Sequence, residues 1–263
     1  MTNIKTLVVK VGTSSLTHKT GFMNFKRIER LARTLCDIKN SGVRVIFVSS
    51  AAISVGMGKL GLTKRPETTK EKQAVASVGQ VELMDIYSNL FSQYGVTVAQ
   101  LLLTKDVLDG AERQKNALAT INTLFSLGAV PIINENDTIS TYEIEFGDND
   151  VLSAHVAKLV GADLLVILTD TEGLYDSDPK RNANAKLISK VEGITDKIRS
   201  LAEGTKSEQG TGGMSTKIQA AQLATEAGID TVISSGENPD VLYDIIQGKP
   251  RGTFFSANSG SVD

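Results

Sequence analysis

The chain has 263 residues, of which 41% are hydrophobic and 22% charged, so it can form one large α/β domain or two small ones around an ordinary buried core. Its 28 Lys and Arg against 30 Asp and Glu give a formal net charge of −2, which excludes a general electrostatic attraction to nucleic acid or to an anionic membrane. The single cysteine, Cys36, excludes an internal disulfide and disfavours a Cys-ligated zinc site.

The start of the chain shows no signal-peptide pattern, and no apolar stretch approaches the ~20 residues that span a bilayer. We therefore expect a cytoplasmic protein. No linker or low-complexity run divides the sequence, so we expect one domain over residues 1–252. Residues 253–263 are small, polar and Ser-rich, which predicts a flexible tail.

Short β-branched runs alternate with helical patterns along the chain. The runs predict strands at residues 6–11, 43–48, 96–103, 129–133, 164–168 and 231–233. Apolar residues spaced by three and four predict helices at 28–38, after Pro66, and at 112–127, 150–160 and 214–227. This alternation predicts an α/β fold with a mainly parallel sheet covered on both faces. In such sheets, ligands bind at the carboxyl ends of the strands.

Lys10 lies inside the first apolar strand, just before Gly12. An unpaired lysine is rarely buried, so in a central strand Lys10 has to meet an anion. The alternative is an edge strand with a solvated lysine. Gly12 suits close approach of a phosphate, although a glycine after a strand is commonly a simple turn.

The segment Gly56-Met-Gly-Lys-Leu-Gly61 fits the G-x-G-x-x-G pattern of dinucleotide-binding folds. It does not follow a strand directly, and no helix opens from it. We therefore expect it to end a short helix that begins at Ala51. No other segment of the sequence supports a Rossmann-type dehydrogenase.

Two polar segments further along are candidates for binding an amine or a cation. Asn134-Glu-Asn-Asp137 follows a predicted strand, where Asp137 can bind an amine or belong to a polar turn. Gly147-Asp148-Asn149-Asp150 precedes a helix, where Asp or Asn is often only an N-cap. Two carboxylates flanking an asparagine can also hold an ammonium group, Mg²⁺ or the lysines.

Two later segments are candidates for binding a nucleotide. Thr169-Asp170 begins a loop at the end of a predicted strand. Thr211-Gly-Gly-Met-Ser-Thr-Lys217 opens a helix, where backbone N–H groups and the helix dipole favour an anion. An ordinary glycine-rich loop with a Ser or Thr cap is the alternative, and Lys217 is the reason to prefer an anion site.

Taken together, these segments resemble the amino-acid kinase family. The matching stretches are residues 9–14, 48–56, 131–137, 146–150, 168–175 and 210–217, and they occur in the family's order between Lys5 and Gly252. The resemblance implies a three-layer α/β/α sandwich, with the amino acid bound by the N-terminal part and ATP by the C-terminal part. It also implies transfer of phosphate from ATP to the γ-carboxylate of L-glutamate, the first step of proline biosynthesis.

The resemblance also implies the roles of individual residues. Lys10 and Lys217 would flank the transferred phosphoryl group, with Asp150 orienting both lysines. The residues expected at glutamate are Ser50, Asp137 and Asn149, with Asn134 and Asp148 nearby. Those expected at ATP are Lys10, Gly12, Thr169, Asp170, Thr211, Gly212, Gly213, Met214, Ser215, Thr216 and Lys217. Mg²⁺ is the implied cofactor, and its ligands stay open because phosphates and water can supply most of them.

Three interactions follow from the resemblance alone. Proline is the expected feedback inhibitor, the chain is expected to assemble into a dimer or tetramer, and it is expected to be functionally coupled to γ-glutamyl phosphate reductase. The glutamate pocket and the loop at residues 138–147 are the expected place for proline, although that loop can equally be a solvated connection. No nucleic acid and no membrane is expected as a partner.

The chain departs from the family's pattern at two points. Many members carry a C-terminal PUA domain, for which we expect no room here. Position 51 is Ala where relatives often have Gly, which matters only if the backbone there needs a positive φ. Other family activities, on acetylglutamate, aspartate, carbamate or UMP, and a non-catalytic nucleotide-binding regulator remain the alternatives.

Overall fold

One eight-stranded sheet runs through the part of the chain that the structure, a computed structural model, describes: residues 4–18, 20, 22–104, 110–139, 149–179, 181–202 and 213–257. The strands are β1 (Thr6–Val11), β2 (Arg44–Ser49), β3 (Val98–Leu103), β4 (Val130–Glu135), β5 (Leu164–Thr169), β6 (Lys190–Val191), β7 (Asp230–Ser235) and β8 (Thr253–Phe255). Their order in the sheet is β3-β4-β2-β1-β5-β7-β8-β6.

Helices connect the strands. In the described residues they are α1 (Thr13–Leu16), α2 (Phe25–Asn40), α3 (Ala52–Leu60), α4 (Thr69–Ser92), α5 (Ala111–Ser126), α6 (Asn149–Val160), α7 (Asp196–Ala202), α8 (Met214–Glu226) and α9 (Val241–Ile246). The start of α4 illustrates how the sequence sets these bounds. The Thr68 hydroxyl accepts a hydrogen bond from the Glu71 N–H, and the Glu71 carboxylate accepts one from the Thr68 N–H. This capping box satisfies two N–H groups that a helix start leaves unpaired.

The core forms two layers because successive side chains of a buried strand point to opposite faces of the sheet. On β1, Leu7, Val9 and Val11 pack on one face with residues of α2 and α4. Val8 packs on the other face with residues of α6 and α8. Lys10 has the same parity as Val8, so the alternation directs it toward α6 and α8.

The six strands predicted from the sequence are confirmed, as is the mainly parallel α/β fold. β1 pairs in parallel with β2 on one side and β5 on the other. The short elements α1, α7, α9, β6 and β8 were missed because two to seven residues carry too little periodicity to stand out.

Residues 253–255 differ from the predicted tail. They form β8, which runs antiparallel to β7, and Thr253 and Phe255 are buried. Residues 258–263 lie outside the described residues. The segment Gly56–Gly61 ends α3 as expected, with Gly61 as the C-cap, although the helix begins at Ala52 and not at Ala51. In the described part of the chain, every helix is too short or too polar to cross a membrane.

Candidate active site

Lys10 is buried at the centre of the sheet. It is 4% exposed, and its strand lies between β2 and β5, so the edge-strand alternative is wrong. Its ammonium group forms an ion pair with the Oδ1 atom of Asp150. A charge buried this deeply is stable only beside an opposite charge, which Asp150 supplies.

Asp150 lies in the first turn of α6 and is fully buried. Its Oδ2 atom accepts a hydrogen bond from the ammonium group of Lys217 at 3.0 Å and one from the Thr216 hydroxyl at 3.2 Å. The side chain of Lys217 is 9% exposed. One carboxylate thus bridges two buried ammonium groups that would otherwise repel each other, and the three side chains together carry one positive charge.

Two glycines, Gly12 and Gly213, lie beside this charge cluster. A Cβ atom built on Gly12 would lie 3.7 Å from the Lys10 ammonium nitrogen, so the glycine keeps space beside that charge. Gly213 is the N-cap of α8, and as a glycine it has no side chain that could cap the helix. A helix N-terminus of this kind, next to two ammonium groups, favours an anion such as a phosphate.

A neutral polar cluster adjoins the charges. The Asn149 amide nitrogen donates to the Ser49 carbonyl oxygen at 3.0 Å, the Ser50 hydroxyl at 3.1 Å and the Asn134 side-chain oxygen at 2.8 Å. These partners lie at the carboxyl ends of β2 and β4. Since Asn149 and Asp150 are neighbours at the start of α6, that helix joins the polar cluster to the two lysines.

Asp137 follows β4 and is 6% exposed, so it lies near the polar cluster's strand ends rather than on an open surface. Thr169 ends β5 and donates its hydroxyl hydrogen to the Asp170 carboxylate at 3.0 Å. In α8, Met214 is buried and Ser215 is exposed. The predicted residues Asp148, Thr211 and Gly212 lie outside the described residues.

Two residues of α4 reach this site and were not found from the sequence. The Gln80 side-chain oxygen accepts a hydrogen bond from the Asn134 amide at 2.9 Å. The Tyr87 hydroxyl lies 2.8 Å from the Ser49 hydroxyl, and burial raises the pKa of Tyr87. The sequence did show polar side chains on the inward face of a long helix, but it could not show which residues they contact.

Ala51 connects β2 to α3 with φ 83° and ψ 9°, a left-handed conformation. It is the one residue other than glycine with a positive φ in the described ranges. The backbone at position 51 therefore does have the positive φ at which Ala in place of Gly matters. The turn fixes the direction of Ser50, which precedes it and meets Asn149.

In the described parts of the chain, no group of three or more His, Cys, Asp and Glu side chains lies close enough together to hold a metal ion. The site instead combines a cationic, anion-binding part around Lys10 and Lys217 with a neutral, hydrogen-bonding part around Asn149. Such a pair of subsites is suited to bringing an anionic donor next to a polar acceptor.

Comparison with known proteins gives a consistent result. A model of the amino acid kinase family matches residues 5–235. Over 260 residues, 97% of each chain, the sequence is 52% identical to a glutamate 5-kinase of Clostridium perfringens. The fold is similar to a UMP kinase from Bacillus anthracis (TM-score 0.67, 16% identity, 97% of each chain). It is also similar to a carbamate kinase from Giardia lamblia bound to AMP-PNP (TM-score 0.66, 19% identity, 98% of this chain and 100% of that one).

Proposed function

The chain belongs to the amino acid kinase family, and we propose that it transfers the terminal phosphoryl group of ATP to the γ-carboxylate of L-glutamate. This is the reaction of a glutamate 5-kinase and the first step of proline biosynthesis. The similarity to a glutamate 5-kinase over nearly the whole of both chains supports the choice of glutamate.

The observation that carries the proposal is the buried pair of lysines bridged by Asp150. Phosphoryl transfer requires little covalent chemistry from the protein, so catalysis depends on positioning and on neutralising charge. Lys10 and Lys217 supply positive charge for the transferred group, and Asp150 fixes the distance between them. Thr169, Asp170 and the start of α8 from Gly213 to Lys217 hold the nucleotide in this proposal.

The γ-carboxylate of glutamate needs no general base, because its unperturbed pKa is about 4.3 and it is ionised at neutral pH. A carboxylate oxygen attacks the γ-phosphorus, a new oxygen–phosphorus bond forms, and the bond to the β-phosphate oxygen breaks. ADP leaves with that electron pair, and no proton has to move. The remaining barrier is the approach of two anions, which the lysines and the α8 amides lower.

The polar cluster forms the acceptor pocket in this proposal. Ser50, Asn149 and Asn134 offer hydroxyl and amide groups, and Asp137 pairs with the glutamate ammonium group. Asp148 is proposed to lie with them. An N-acetylated acceptor has no ammonium group for Asp137, and a nucleotide acceptor would need basic residues there.

Mg²⁺ is proposed to arrive with ATP, because this ion is usually held by phosphate oxygens, water and one or two carboxylates. The Asp150 carboxylate already bridges two lysines. When bound, the ion adds positive charge at the phosphates. Proline as a feedback inhibitor, assembly into a dimer or tetramer, and coupling to γ-glutamyl phosphate reductase belong to the same proposal.

An acceptor panel tests the function directly. ADP release is measured with L-glutamate, N-acetylglutamate, aspartate and UMP, each with and without Mg²⁺. Mg²⁺-dependent turnover with glutamate, well above that with the other acceptors, is expected. Faster turnover with any other member of the panel would contradict the proposal.

A further inference from the structure

Gln80 contacts one residue of the proposed acceptor pocket, the side chain of Asn134. We propose that Gln80 is a positioning residue for the acceptor: it fixes the Asn134 amide, which in turn fixes the Asn149 amide beside Ser50. The inference rests on the proposed function, since the acceptor is taken to be glutamate. Gln80 belongs to α4 and was not among the residues that the sequence pattern singled out.

The orientation of the Asn134 amide is set by a backbone donor. The N–H of Glu135 donates to the Asn134 side-chain oxygen at 2.9 Å. A backbone N–H cannot become an acceptor, so that oxygen has to face Glu135. The Asn134 amide nitrogen consequently points the other way, toward the Gln80 side-chain oxygen at 2.9 Å. Gln80 is thus the acceptor for the nitrogen end of Asn134.

The same orientation determines how Asn149 is held. The Asn134 oxygen also accepts from the Asn149 amide nitrogen at 2.8 Å, and together with the Ser49 carbonyl it fixes which end of the Asn149 amide faces β2 and β4. From that position the nitrogen also reaches the Ser49 carbonyl and the Ser50 hydroxyl. A relay of amides therefore runs from Gln80 through Asn134 to Asn149.

Burial makes this relay sensitive to the loss of one acceptor. Asn134 and Asn149 are each 1% exposed and Ser50 is 5% exposed. Gln80 is itself half-buried, but the Asn134 amide that it contacts is buried, and a buried amide nitrogen that loses its acceptor is left with an unmet hydrogen bond. The Glu135 N–H opposes a complete flip of the Asn134 amide, so the expected change is a shift of that amide, which weakens the contact between its oxygen and the Asn149 nitrogen.

Other contacts of the same helix support a positioning role for α4. The Ser77 hydroxyl lies 3.2 Å from the Thr138 hydroxyl, next to Asp137. The Tyr87 hydroxyl lies 2.8 Å from the Ser49 hydroxyl. Gln80 and Tyr87 thus contact the carboxyl ends of β4 and β2, and Ser77 contacts the segment that follows β4. The backbones of α3 and α4 meet at Gly79, so Gln80 extends from a firmly fixed part of the helix.

Three variants of Gln80 separate loss of the acceptor from loss of the side chain. Gln80→Met keeps the length but removes the amide. Gln80→Asn keeps the amide but is too short by one methylene. Gln80→Glu keeps an acceptor oxygen in the original position. Gln93→Met, at the exposed end of α4, is the matched control.

KM for glutamate, KM for ATP, kcat and the melting temperature are measured for each variant. We expect Gln80→Met and Gln80→Asn to raise the glutamate KM about tenfold, the size of one lost hydrogen bond, with the ATP KM within about twofold. Gln80→Glu should restore most of the affinity, and Gln93→Met should match the unaltered protein. If either variant fails to fold, the other still decides the result.

An unchanged glutamate KM in folded Gln80→Met or Gln80→Asn would overturn the inference. The inference would also be overturned by equal rises in the KM for glutamate and the KM for ATP. A glutamate KM of Gln80→Glu as high as that of Gln80→Met would overturn it too. Failure of the unaltered chain to use glutamate at all is a different outcome. It would remove the proposed function, whereas the variants test only the relay.

Discussion

At the level of single residues, Ala51 adopts a backbone conformation that an L side chain disfavours. Its φ of 83° places the Cβ atom against its own carbonyl group, at a cost of about 1–2 kcal/mol. The strain lies between Ser50 and the first residue of α3. It is the local cost of turning the chain sharply at the end of β2, beside the acceptor pocket.

Ala51→Gly is expected to raise the free energy of unfolding by about 1 kcal/mol, because glycine adopts positive φ without strain. Urea unfolding at neutral pH measures the change. Ala52→Gly, at the first position of α3, is the control and should lower the free energy of unfolding by up to about 0.5–1 kcal/mol. Destabilisation by both variants would show that the left-handed turn carries no strain.

Asp137 is the residue that we expect to distinguish amino-acid acceptors from other acceptors. Asp137→Ala should mainly raise the glutamate KM, because the ammonium contact is made in both the bound and the transition state. Steady-state kinetics with each substrate varied in turn checks this. A change confined to the ATP KM would place Asp137 at the nucleotide instead.

Residue chemistry explains which parts of the site the sequence could predict. Lys10, Asp150 and Lys217 stand out because a charge among apolar residues needs a partner, and the structure joins all three. Gln80 did not stand out, because a glutamine is equally common on an exposed helix face. Its partner Asn134 is 54 residues away, and a single hydrogen bond leaves no trace in the pattern.

At the level of elements, α3 and α4 approach so closely that their backbones touch. A Cβ atom on Gly79 would lie 1.8 Å from the Ala52 carbonyl oxygen, and one on Gly56 would lie 2.0 Å from the Val75 carbonyl oxygen. No side chain fits at either position without separating the helices. Gly56, one of the glycines that resembled a dinucleotide motif, therefore allows α3 and α4 to pack together.

Gly79→Ala should therefore lower the free energy of unfolding by about 3 kcal/mol, the upper part of the range for overpacking. Gly58→Ala is the matched control in α3, where the added methyl group would be 3.8 Å from Phe22 and meet nothing closer. It should raise stability by about 0.5–1 kcal/mol because alanine favours a helix. Equal effects of the two variants in urea unfolding would refute the close approach.

Helices α2 and α9 are joined by Asp240, which lies just before α9. Its carboxylate accepts hydrogen bonds from Arg30 at 2.5 Å and from the Thr34 hydroxyl at 3.0 Å. The Arg30 guanidinium is the main reason that the pKa of Asp240 is lowered from its usual value. A lowered pKa in the folded state means that the ionised carboxylate stabilises the fold.

Asp240→Asn should lower the free energy of unfolding at pH 7 by less than about 1 kcal/mol, the range of a partly exposed ion pair. The difference from the unaltered chain should hold from pH 7 to pH 5. It should shrink as the pH falls below about 4, where the carboxylate takes up a proton. Urea unfolding at several pH values measures it, and a difference that grows toward low pH would contradict the pairing.

At the level of the whole molecule, the order of strands brings distant residues together. β1 lies between β2 and β5, so the loops after β1, β2, β4 and β5 open at one edge of the sheet. Lys10 comes from near the start of the chain and Lys217 from near its end, and only the assembled sheet with α6 and α8 packed on it places Asp150 between them.

The sequence predicted this arrangement in outline because alternating strands and helices leave few topologies for a parallel sheet. It could not predict β6 and β8, which depend on pairing with β7 and each other rather than on a local pattern. It also could not predict which side chains meet at the edge of the sheet. That depends on register, and a shift of one residue moves every side chain to the other face.

The turnover number of Lys217→Met with ATP and glutamate tests the central claim most directly. Lys10→Met is measured in parallel, and the control is Lys59→Met, which removes an exposed lysine paired with Glu82 at 2.8 Å. We predict that kcat falls at least ~100-fold in the two buried-lysine variants, the scale of losing one preorganised electrostatic contact, and stays unchanged in the control. Turnover near that of the unaltered chain in a folded Lys217→Met protein would contradict the claim that the bridged lysines stabilise phosphoryl transfer.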